Sequence, residues 1–259
     1  MKRLALGLAL SLCVSNAAVS TTAWAEGPAL RIATEGAYPP FNLTKPDGTL
    51  GGLEVDLANA LCERMKRSCT IVAQDWDGIV PALLARKYDA IMATMNITPE
   101  RAKTIAFSAP YMVVPAYFVA AGNSGIDGTP QSLKGKVVGA QTSTTHYRYV
   151  EKHFGKDVTL RSYDTTSNLL ADLKSGRIDA AITTGATATD WVKADQSKAL
   201  QLVGQPLVDA DVFGPGVGVG LRKEDAELKK AFDAAIASVV QDGTLTRIAA
   251  KYVDFTVTP

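Results

Sequence analysis

The sequence predicts an α/β protein built as two lobes, each a mainly parallel sheet flanked by helices. Three observations predict this fold. The first part of the chain alternates strand and helix signals in the order β-α-β-α-β. A second unit of the same kind begins near residue 136. Two irregular stretches then flank a middle block, which makes the first lobe discontinuous in sequence.

Each element of the first block has its own sequence signal. Strand 30–34 alternates apolar and polar residues, and helix 53–65 carries apolar residues at helical spacing on one face. Glycine and paired prolines at 35–41 predict an exposed turn between them. The remaining predicted elements are strand 70–73, helix 79–86 with Asp77 as its cap, and strand 88–95.

The middle block and the end of the chain repeat this alternation. The apolar stretch 106–121, broken by two prolines, is predicted to be a strand that leaves the first lobe. The later predicted elements are strand 136–140, helix 146–154, the irregular stretch 206–213, strand 216–221, and helices 224–240 and 245–252.

Residues 82–90 and 172–180 resemble each other, since both contain a helix end, a turn and an Asp-Ala strand. This similarity favours two lobes built on one plan. A chance similarity between two common units is the alternative. The predicted division is an export signal at 1–25, a first lobe at 26–113 and 209–259, and a second lobe at 116–207.

The first 25 residues have the composition of a cleaved export signal. Lys2 and Arg3 precede an apolar run at 4–14, and Ala23-Trp24-Ala25 is a small-x-small cleavage site. The apolar run is well short of the ~20 residues that span a bilayer. The mature protein is therefore expected to be soluble and to lie beyond the cytoplasmic membrane.

The charge balance gives no support to two classes of partner. The chain carries 27 Lys and Arg against 26 Asp and Glu. This balance favours neither nucleic acid nor an anionic membrane surface as a partner.

No motif for catalysis is recognisable in the sequence. We find no nucleophile beside a base, no metal-ligand cluster and no phosphate-binding loop. The glycine run at 214–220 is not a G-x-G-x-x-G motif and does not begin a helix. His146 and His153 have no Ser or Cys partner arrangement and are interpreted as surface groups. We therefore expect no catalytic residue, no metal and no cofactor, and a protein that is not an enzyme.

Two cysteines remain once the export signal is removed, Cys62 and Cys69. An oxidising compartment favours a single local disulfide between them. A pair of free thiols is the alternative.

The stretch 97–101 leads from a strand into a helix, with Thr98 as the cap and Pro99 at the first helical position. Arg101 falls in the first turn, where the helix macrodipole disfavours a cation. We interpret Arg101 as a group that holds an anion, such as a carboxylate, together with helix amides. The alternative is a solvated arginine paired with Glu100.

Polar side chains recur after the predicted strands, which is where ligands bind in open α/β sheets. A cleft between two lobes would bring them together. They are Glu35, Tyr38, Trp76, Thr94, Asn96, Arg101, Ser143, Thr144, Thr183 and Thr184.

The chemistry of these groups is asymmetric. Arg101 suits a carboxylate and Glu35 suits a cation. Tyr38 and Trp76 suit a flat or alkyl cationic chain placed between them. Together they predict a zwitterionic ligand with a carboxylate at one end and a basic group at the other. The alternatives are a solvated turn residue for Glu35 and packing between lobes for the two aromatic residues.

Several motifs along the chain point to one family. They are 35–41 (EGAYPPF), 52–57 (GLEVDL), Cys62 with Cys69, 75–77 (DWD), 88–91 (YDAI), 97–101 (ITPER), 176–180 (GRIDA) and 218–225 (GVGLRKED). With them the sequence resembles the periplasmic amino-acid-binding proteins of ABC importers, in the lysine/arginine/ornithine- and histidine-binding group. The resemblance implies a type II periplasmic binding protein, with two lobes joined by two strands that close over one ligand. It also implies a monomer that delivers the ligand to an inner-membrane ABC permease.

The resemblance also assigns roles by position. Arg101 matches the arginine that binds the ligand α-carboxylate, and Cys62 and Cys69 match the family's disulfide pair. Asn96 and Thr144 match positions that assist in binding the carboxylate, and Thr94 matches a position near the ligand amino group. Tyr38 and Trp76 match the aromatic residues on either side of the ligand side chain. Glu35 matches the acidic residue that meets its basic end. The predicted ligand-binding set is Glu35, Tyr38, Trp76, Ala93, Thr94, Asn96, Arg101, Ser143, Thr144 and Thr184.

One position departs from the family pattern. Basic amino-acid binders place an aspartate for the α-ammonium group where this chain has Thr184 followed by Gly185. Losing such a charge-assisted hydrogen bond costs about 1.5–3 kcal/mol. With Glu35 and Trp76, this departure is similar to the octopine- and nopaline-binding relatives. Thr184 and Gly185 would leave room for the second carboxylate of such an opine, so the expected ligand is a basic amino acid or a guanidino opine.

Two other functions are compatible with the same fold. One is a periplasmic dehydratase similar to cyclohexadienyl dehydratase, which would need a placed general acid in the cleft. The other is a ligand-presenting partner of a membrane sensor, which the sequence does not separate from import.

Overall fold

Two five-stranded sheets and one small three-stranded sheet organise the chain in the computed structural model, which describes residues 29–257. The predicted export signal lies outside the described residues. The strands, in chain order, are β1 (Leu30–Thr34), β2 (Ala37–Tyr38), β3 (Asn42–Thr44), β4 (Leu50–Gly51), β5 (Cys69–Ala73), β6 (Ala90–Ile91), β7 (Ala106–Phe107), β8 (Ala116–Ala121), β9 (Val137–Gln141), β10 (Thr159–Tyr163), β11 (Ala180–Thr184), β12 (Leu200–Leu207) and β13 (Gly220–Leu221).

Ten α-helices and two short 3-10 turns connect these strands within residues 29–257. The helices are α1 (Leu53–Arg64), α2 (Ile79–Leu84), α3 (Pro99–Ala102), α4 (Pro130–Leu133), α5 (Thr145–Phe154), α6 (Thr166–Lys174), α7 (Gly185–Ala194), α8 (Ala210–Phe213), α9 (Ala226–Gln241) and α10 (Thr244–Ala249). In the same part of the chain, no helix has the length and apolar character needed to cross a membrane.

The two large sheets share one layout, which confirms the predicted two-lobed α/β fold. The first sheet has the order β5-β1-β6-β13-β7 and the second has the order β10-β9-β11-β8-β12. In each sheet the first three strands are parallel, and the fourth strand runs antiparallel to both of its neighbours. The first sheet takes β13 from the C-terminal part of the chain. The lobe boundaries proposed from the sequence remain a prediction.

The similarity between residues 82–90 and 172–180 corresponds to one local structure that occurs in both lobes. The Asp89 carboxylate accepts a hydrogen bond from the backbone N of Arg31 at 3.0 Å, and Asp179 accepts one from the backbone N of Val137 at 2.8 Å. Each aspartate also donates its own backbone N–H to the carbonyl of that same partner residue, at 2.8 Å in both lobes. A chance similarity would not reproduce this reciprocal pair of bonds.

Helix α1 shows how the apolar pattern builds the core of the first lobe. Leu53, Leu57 and Leu61 recur at four-residue spacing and are fully buried. They belong to the same apolar cluster as Phe232 and Ile236 of α9. Burial of each such side chain contributes roughly 1.5–3 kcal/mol. Helix α9, from the C-terminal part of the chain, therefore completes the core that the N-terminal part begins.

Three strand predictions were too long. The stretch 106–121 contains two strands, β7 and β8, with Pro110 and Pro115 between them. The strand predicted at 88–95 is regular only at Ala90–Ile91, and Thr94 within the predicted range has a left-handed φ of 51°, which a strand does not accommodate. The strand predicted at 216–221 is regular only at Gly220–Leu221. Gly216 has a φ of 138°, which interrupts the extended run there.

The cap predictions had mixed outcomes. Thr98 is confirmed as the cap of α3, because its hydroxyl accepts a hydrogen bond from the backbone N of Arg101 at 3.2 Å. The prediction that Asp77 caps α2 was wrong, because Asp77 lies inside the 3-10 turn Trp76–Gly78 and makes no capping bond to the helix. The stretch predicted to be irregular at 206–213 contains α8, which Asp209 caps.

Cys62 and Cys69 form a disulfide, as expected for an oxidising compartment, rather than a pair of free thiols. The bond joins the last turn of α1 to the first residue of β5. The two cysteines are separated by seven residues, so the bond closes a short loop.

We expect the double substitution Cys62→Ala and Cys69→Ala to lower the free energy of unfolding by about 2 kcal/mol, the value for a loop of this length. The change should leave ligand binding intact, because neither cysteine lines the interlobe cleft. Urea denaturation of the variant, compared with the wild-type protein under oxidising and reducing conditions, measures this effect. Alkylation of both cysteines in the wild-type protein without prior reduction would contradict the disulfide, because only free thiols react.

Candidate functional site

A cleft lies where the carboxyl ends of the parallel strands of both lobes face each other. It encloses about 290 Å³ of free space, its open mouth included. Among residues 29–257, no group of three or more His, Cys, Asp or Glu side chains could hold a metal ion there or elsewhere. The residues that line the cleft are Glu35, Tyr38, Trp76, Ala93, Thr94, Asn96, Arg101, Gln141, Thr144, Thr145 and His146.

The structure brings together most of the residues predicted to bind a ligand. Ser143 lies beside the cleft and turns its carbonyl oxygen toward Arg101. Thr184 lies outside the cleft lining. The predicted residues that line the cleft are Glu35, Tyr38, Trp76, Ala93, Thr94, Asn96, Arg101 and Thr144.

Arg101 extends from α3 into the cleft. Its guanidinium donates to the carbonyl oxygen of Asn96 at 2.9 Å and to that of Ser143, across the cleft, at 3.2 Å. It also lies 5.2 Å from the centre of the Trp76 ring. Burial, with a smaller contribution from the nearby Arg148, lowers the pKa of Arg101 to about 10. No carboxylate among residues 29–257 forms an ion pair with this guanidinium.

The surface interpretation of Arg101 was wrong. Glu100, its expected partner, pairs instead with Lys103 at 2.6 Å on the exposed side of α3. Two of the five guanidinium N–H donors are used by carbonyl oxygens, which leaves donors available for an anion.

Glu35 lies at the other end of the cleft with only 7% of its surface exposed. The side-chain amide of Gln141 donates to one of its carboxylate oxygens at 2.7 Å. Burial is the main cause that raises the pKa of Glu35 to about 7; the Gln141 hydrogen bond opposes this rise, and the acidic groups of Asp75, Glu54 and Asp77 add to it. A cation beside this carboxyl would reverse that shift.

The two aromatic residues line the cleft and also join the lobes. The indole N–H of Trp76 donates to the carbonyl oxygen of Thr142 at 3.1 Å. The Tyr38 hydroxyl lies 3.1 Å from the hydroxyls of both Thr183 and Thr184. Tyr38 and Trp76 therefore fit both interpretations made from the sequence, since they line the ligand cleft and also pack between the lobes.

Asn96 bonds to both lobes. Its amide nitrogen donates to the carbonyl oxygen of Phe213, the last residue of α8, at 3.0 Å. Its amide oxygen accepts from the Thr145 hydroxyl at 3.2 Å. The amide oxygen thus bonds across the cleft, while the backbone carbonyl of Asn96 accepts from Arg101.

Helix α5 supplies the wall of the cleft in the second lobe. The Thr144 hydroxyl caps this helix by accepting from the backbone N of Tyr147 at 3.2 Å, and it donates to the Gln141 carbonyl at 2.6 Å. Ser143, just before the cap, has a left-handed φ of 57°. The first turn of a helix leaves backbone N–H groups without intrahelical partners, so this wall can also donate to an anion.

Sequence reasoning missed three lining residues, Gln141, Thr145 and His146. The prediction that His146 is a surface group was wrong, since only 8% of it is exposed. Burial lowers the pKa of His146 to about 4, and Arg101 contributes to this, so the imidazole is neutral at pH 7. The signal that could have found all three is their place within or beside the small polar run at 141–145.

The room predicted at Thr184 and Gly185 is absent. The Thr184 hydroxyl bonds to Tyr38 and, at 3.1 Å, to the hydroxyl of Thr187. A Cβ atom on Gly185 would lie 2.9 Å from the Tyr117 ring, so the glycine is required by packing inside the second lobe. The space predicted for a second ligand carboxylate is therefore not present at these two residues.

Comparisons with known proteins agree with this architecture. A relative described as an octopine-binding periplasmic protein of Rhizobium meliloti is 38% identical over 96% of this chain and 98% of its own. An L-arginine-binding protein of Pseudomonas aeruginosa is 40% identical over 99% of this chain and 98% of its own. Among solved structures, a periplasmic binding protein of Salmonella typhimurium with high arginine specificity has a TM-score of 0.80 and 29% identity, over 86% of this chain and 98% of that one.

The family described as bacterial extracellular solute-binding proteins, family 3, matches residues 30–255. That range includes both sheets, the cleft and the disulfide. The two relatives described above match this chain over 98% of their own length. The chain therefore belongs to family 3 of the bacterial extracellular solute-binding proteins.

Proposed function

We propose that this protein binds a small zwitterionic ligand in the interlobe cleft, with a carboxylate at Arg101 and a basic group at Glu35. One observation carries the proposal. Glu35 is buried and Arg101 is partly buried in one cleft, and neither forms an ion pair with any residue between 29 and 257. A buried charge without a partner is costly. A ligand that brings one charge of each sign removes both penalties at once.

The ligand class proposed is a basic amino acid or an arginine-derived opine. The relatives named as binding L-arginine and octopine support this class. The neutral Thr184 supports a ligand that needs no acid at its α-nitrogen. The remaining ligand-binding assignments, including Ser143 and Thr144, belong to this proposal.

The biological setting is proposed from the family. The protein acts as a periplasmic monomer that delivers its ligand to an inner-membrane ABC permease. Its lobes comprise residues 26–113 with 209–259 and residues 116–207, and they separate and close around the ligand. Serving a membrane sensor remains the alternative to import.

A ligand panel tests the proposal directly. Isothermal titration calorimetry with L-arginine, L-lysine, L-histidine, octopine and nopaline should show tight binding for at least one cationic member. The matched controls are agmatine, which lacks the carboxylate, and L-glutamine, which lacks a cationic side chain. Both should bind much more weakly. Preference for neutral or acidic amino acids would contradict the assignment of Glu35.

A dehydratase is the second candidate, because of one observation. Burial raises the pKa of Glu35 to about 7, a value suited to a general acid near neutral pH. The relatives described above are named as binding proteins, which favours the first proposal. Consumption of prephenate or arogenate by the purified protein would support the dehydratase, and no turnover would dismiss it.

We expect Arg101→Ala to weaken binding of L-arginine by about 100-fold or more, because a buried carboxylate would lose its charged partner. Arg148→Ala is the matched control, since it removes the same charge from an exposed neighbour. The control should change the affinity by less than about threefold. Equal effects of the two substitutions in calorimetry would return Arg101 to a general electrostatic role.

The affinity for L-arginine should rise with pH through about 7. Because burial raises the pKa of Glu35 to about 7, its carboxyl is largely protonated below that pH and pairs poorly with a cation. Binding should therefore release protons, which calorimetry in buffers of different ionisation enthalpy detects. Glu35→Gln should bind weakly with no such pH dependence. A flat pH profile for the wild-type protein would contradict the cation-binding role.

A further inference from the structure

Glu54 carries a buried carboxylate and does not itself line the cleft. It lies in the first turn of α1 with 1% of its surface exposed. Four groups donate to its two oxygens. They are the Asn42 amide at 2.8 Å, the Thr94 backbone N–H at 2.7 Å, the Thr94 hydroxyl at 2.9 Å, and the Tyr111 hydroxyl.

Two of these bonds hold Thr94, which lines the cleft in a conformation that its side chain disfavours. Its φ of 51° is left-handed, and β-branched residues rarely adopt that region. Such a backbone persists only where its surroundings impose it. Glu54 binds both the backbone N–H and the hydroxyl of Thr94, so it is the group that imposes this conformation.

The same carboxylate reaches the opposite end of the cleft through Asn42, which is fully buried. The Asn42 amide nitrogen donates to Glu54, and its amide oxygen accepts from the backbone N–H of Gly36 at 2.8 Å. Gly36 follows Glu35 directly in the turn after β1. The chain of bonds therefore runs from the Glu35 turn, through Asn42 and Glu54, to Thr94.

We propose that Glu54 is a positioning residue for ligand binding, which fixes the Thr94 segment and the Glu35 turn relative to each other. The inference rests on the proposed function of the cleft. Every member of the network belongs to the first lobe, so its bonds do not depend on closure. The residues of the first lobe that bind the two ends of the ligand are thus ordered before the ligand arrives, and this lowers the entropic cost of binding.

The proposal predicts a specific failure in Glu54→Gln. An amide of the same shape offers one oxygen in place of two, so its nitrogen faces either Asn42 or the Thr94 backbone N–H, which are both donors. The link to one end of the cleft is then lost. Asp56→Asn is the matched control, because it makes the same change in the same turn of α1. Asp56 bonds instead to Lys251 and Tyr252, which do not line the cleft.

A ligand-free measurement tests the positioning directly. Amide hydrogen exchange followed by NMR should show faster exchange at Thr94 or Gly36 in Glu54→Gln, with the sheet amides of both lobes unchanged. Asp56→Asn should exchange like the wild-type protein at both positions. Faster exchange spread evenly through the first lobe, or no change at either residue, would overturn the proposal.

A double-mutant cycle then tests the connection to binding. Glu54→Gln should weaken L-arginine binding by about tenfold or more in the wild-type background. Where exchange is faster at Thr94, the loss should be less than about threefold in a Thr94→Gly background, because glycine tolerates the left-handed conformation without support. Faster exchange at Thr94 with equal losses in the two backgrounds would overturn the proposal. If the wild-type protein bound no member of the ligand panel, the proposed function would fail, while the exchange measurement would still decide the role of Glu54.

Discussion

Two groups of opposite charge lie in one cleft without ion-pair partners in the described chain, and the binding site depends on them. Arg101 and Glu35 approach the cleft from different turns of the first lobe; Glu35 is buried there and Arg101 is partly buried. Burial raises the pKa of Glu35 and lowers the pKa of Arg101, because it disfavours the charged form of both groups. Closing the empty cleft is therefore opposed by the same groups that suit a zwitterion.

Neutral hydrogen bonds act in the opposite direction. Trp76 bonds to the Thr142 carbonyl, Tyr38 to Thr184, and Asn96 to Thr145, and each of these pairs spans the lobes. Contacts of this kind favour closure whatever the cleft contains. The balance between them and the buried charges sets the population of the closed state, and a ligand that pairs with both charges shifts it.

The repeated plan of the lobes explains why the charges face one cleft. Parallel strands direct their carboxyl ends to one edge of a sheet, and ligands bind at that edge. The matching aspartate bonds at Asp89 and Asp179 show that both lobes use the same strand-start geometry. The lobes differ in the residues that come after their strands. The first lobe has charged and aromatic groups there, and the second has a polar helix start at Thr144.

Features that depend on neighbouring residues could be predicted from the sequence alone. Alternating strand and helix signals predicted the two-lobed α/β fold, Thr98 and Pro99 predicted the start of α3, and polar residues after the strands predicted most of the cleft lining. Only the tertiary structure decided which groups meet. Gln141 reaches Glu35 across 106 residues, Glu54 reaches Thr94 across 40, and Thr184 bonds to Tyr38 across 146. Such contacts depend on how whole lobes pack, and local periodicity carries no information about them.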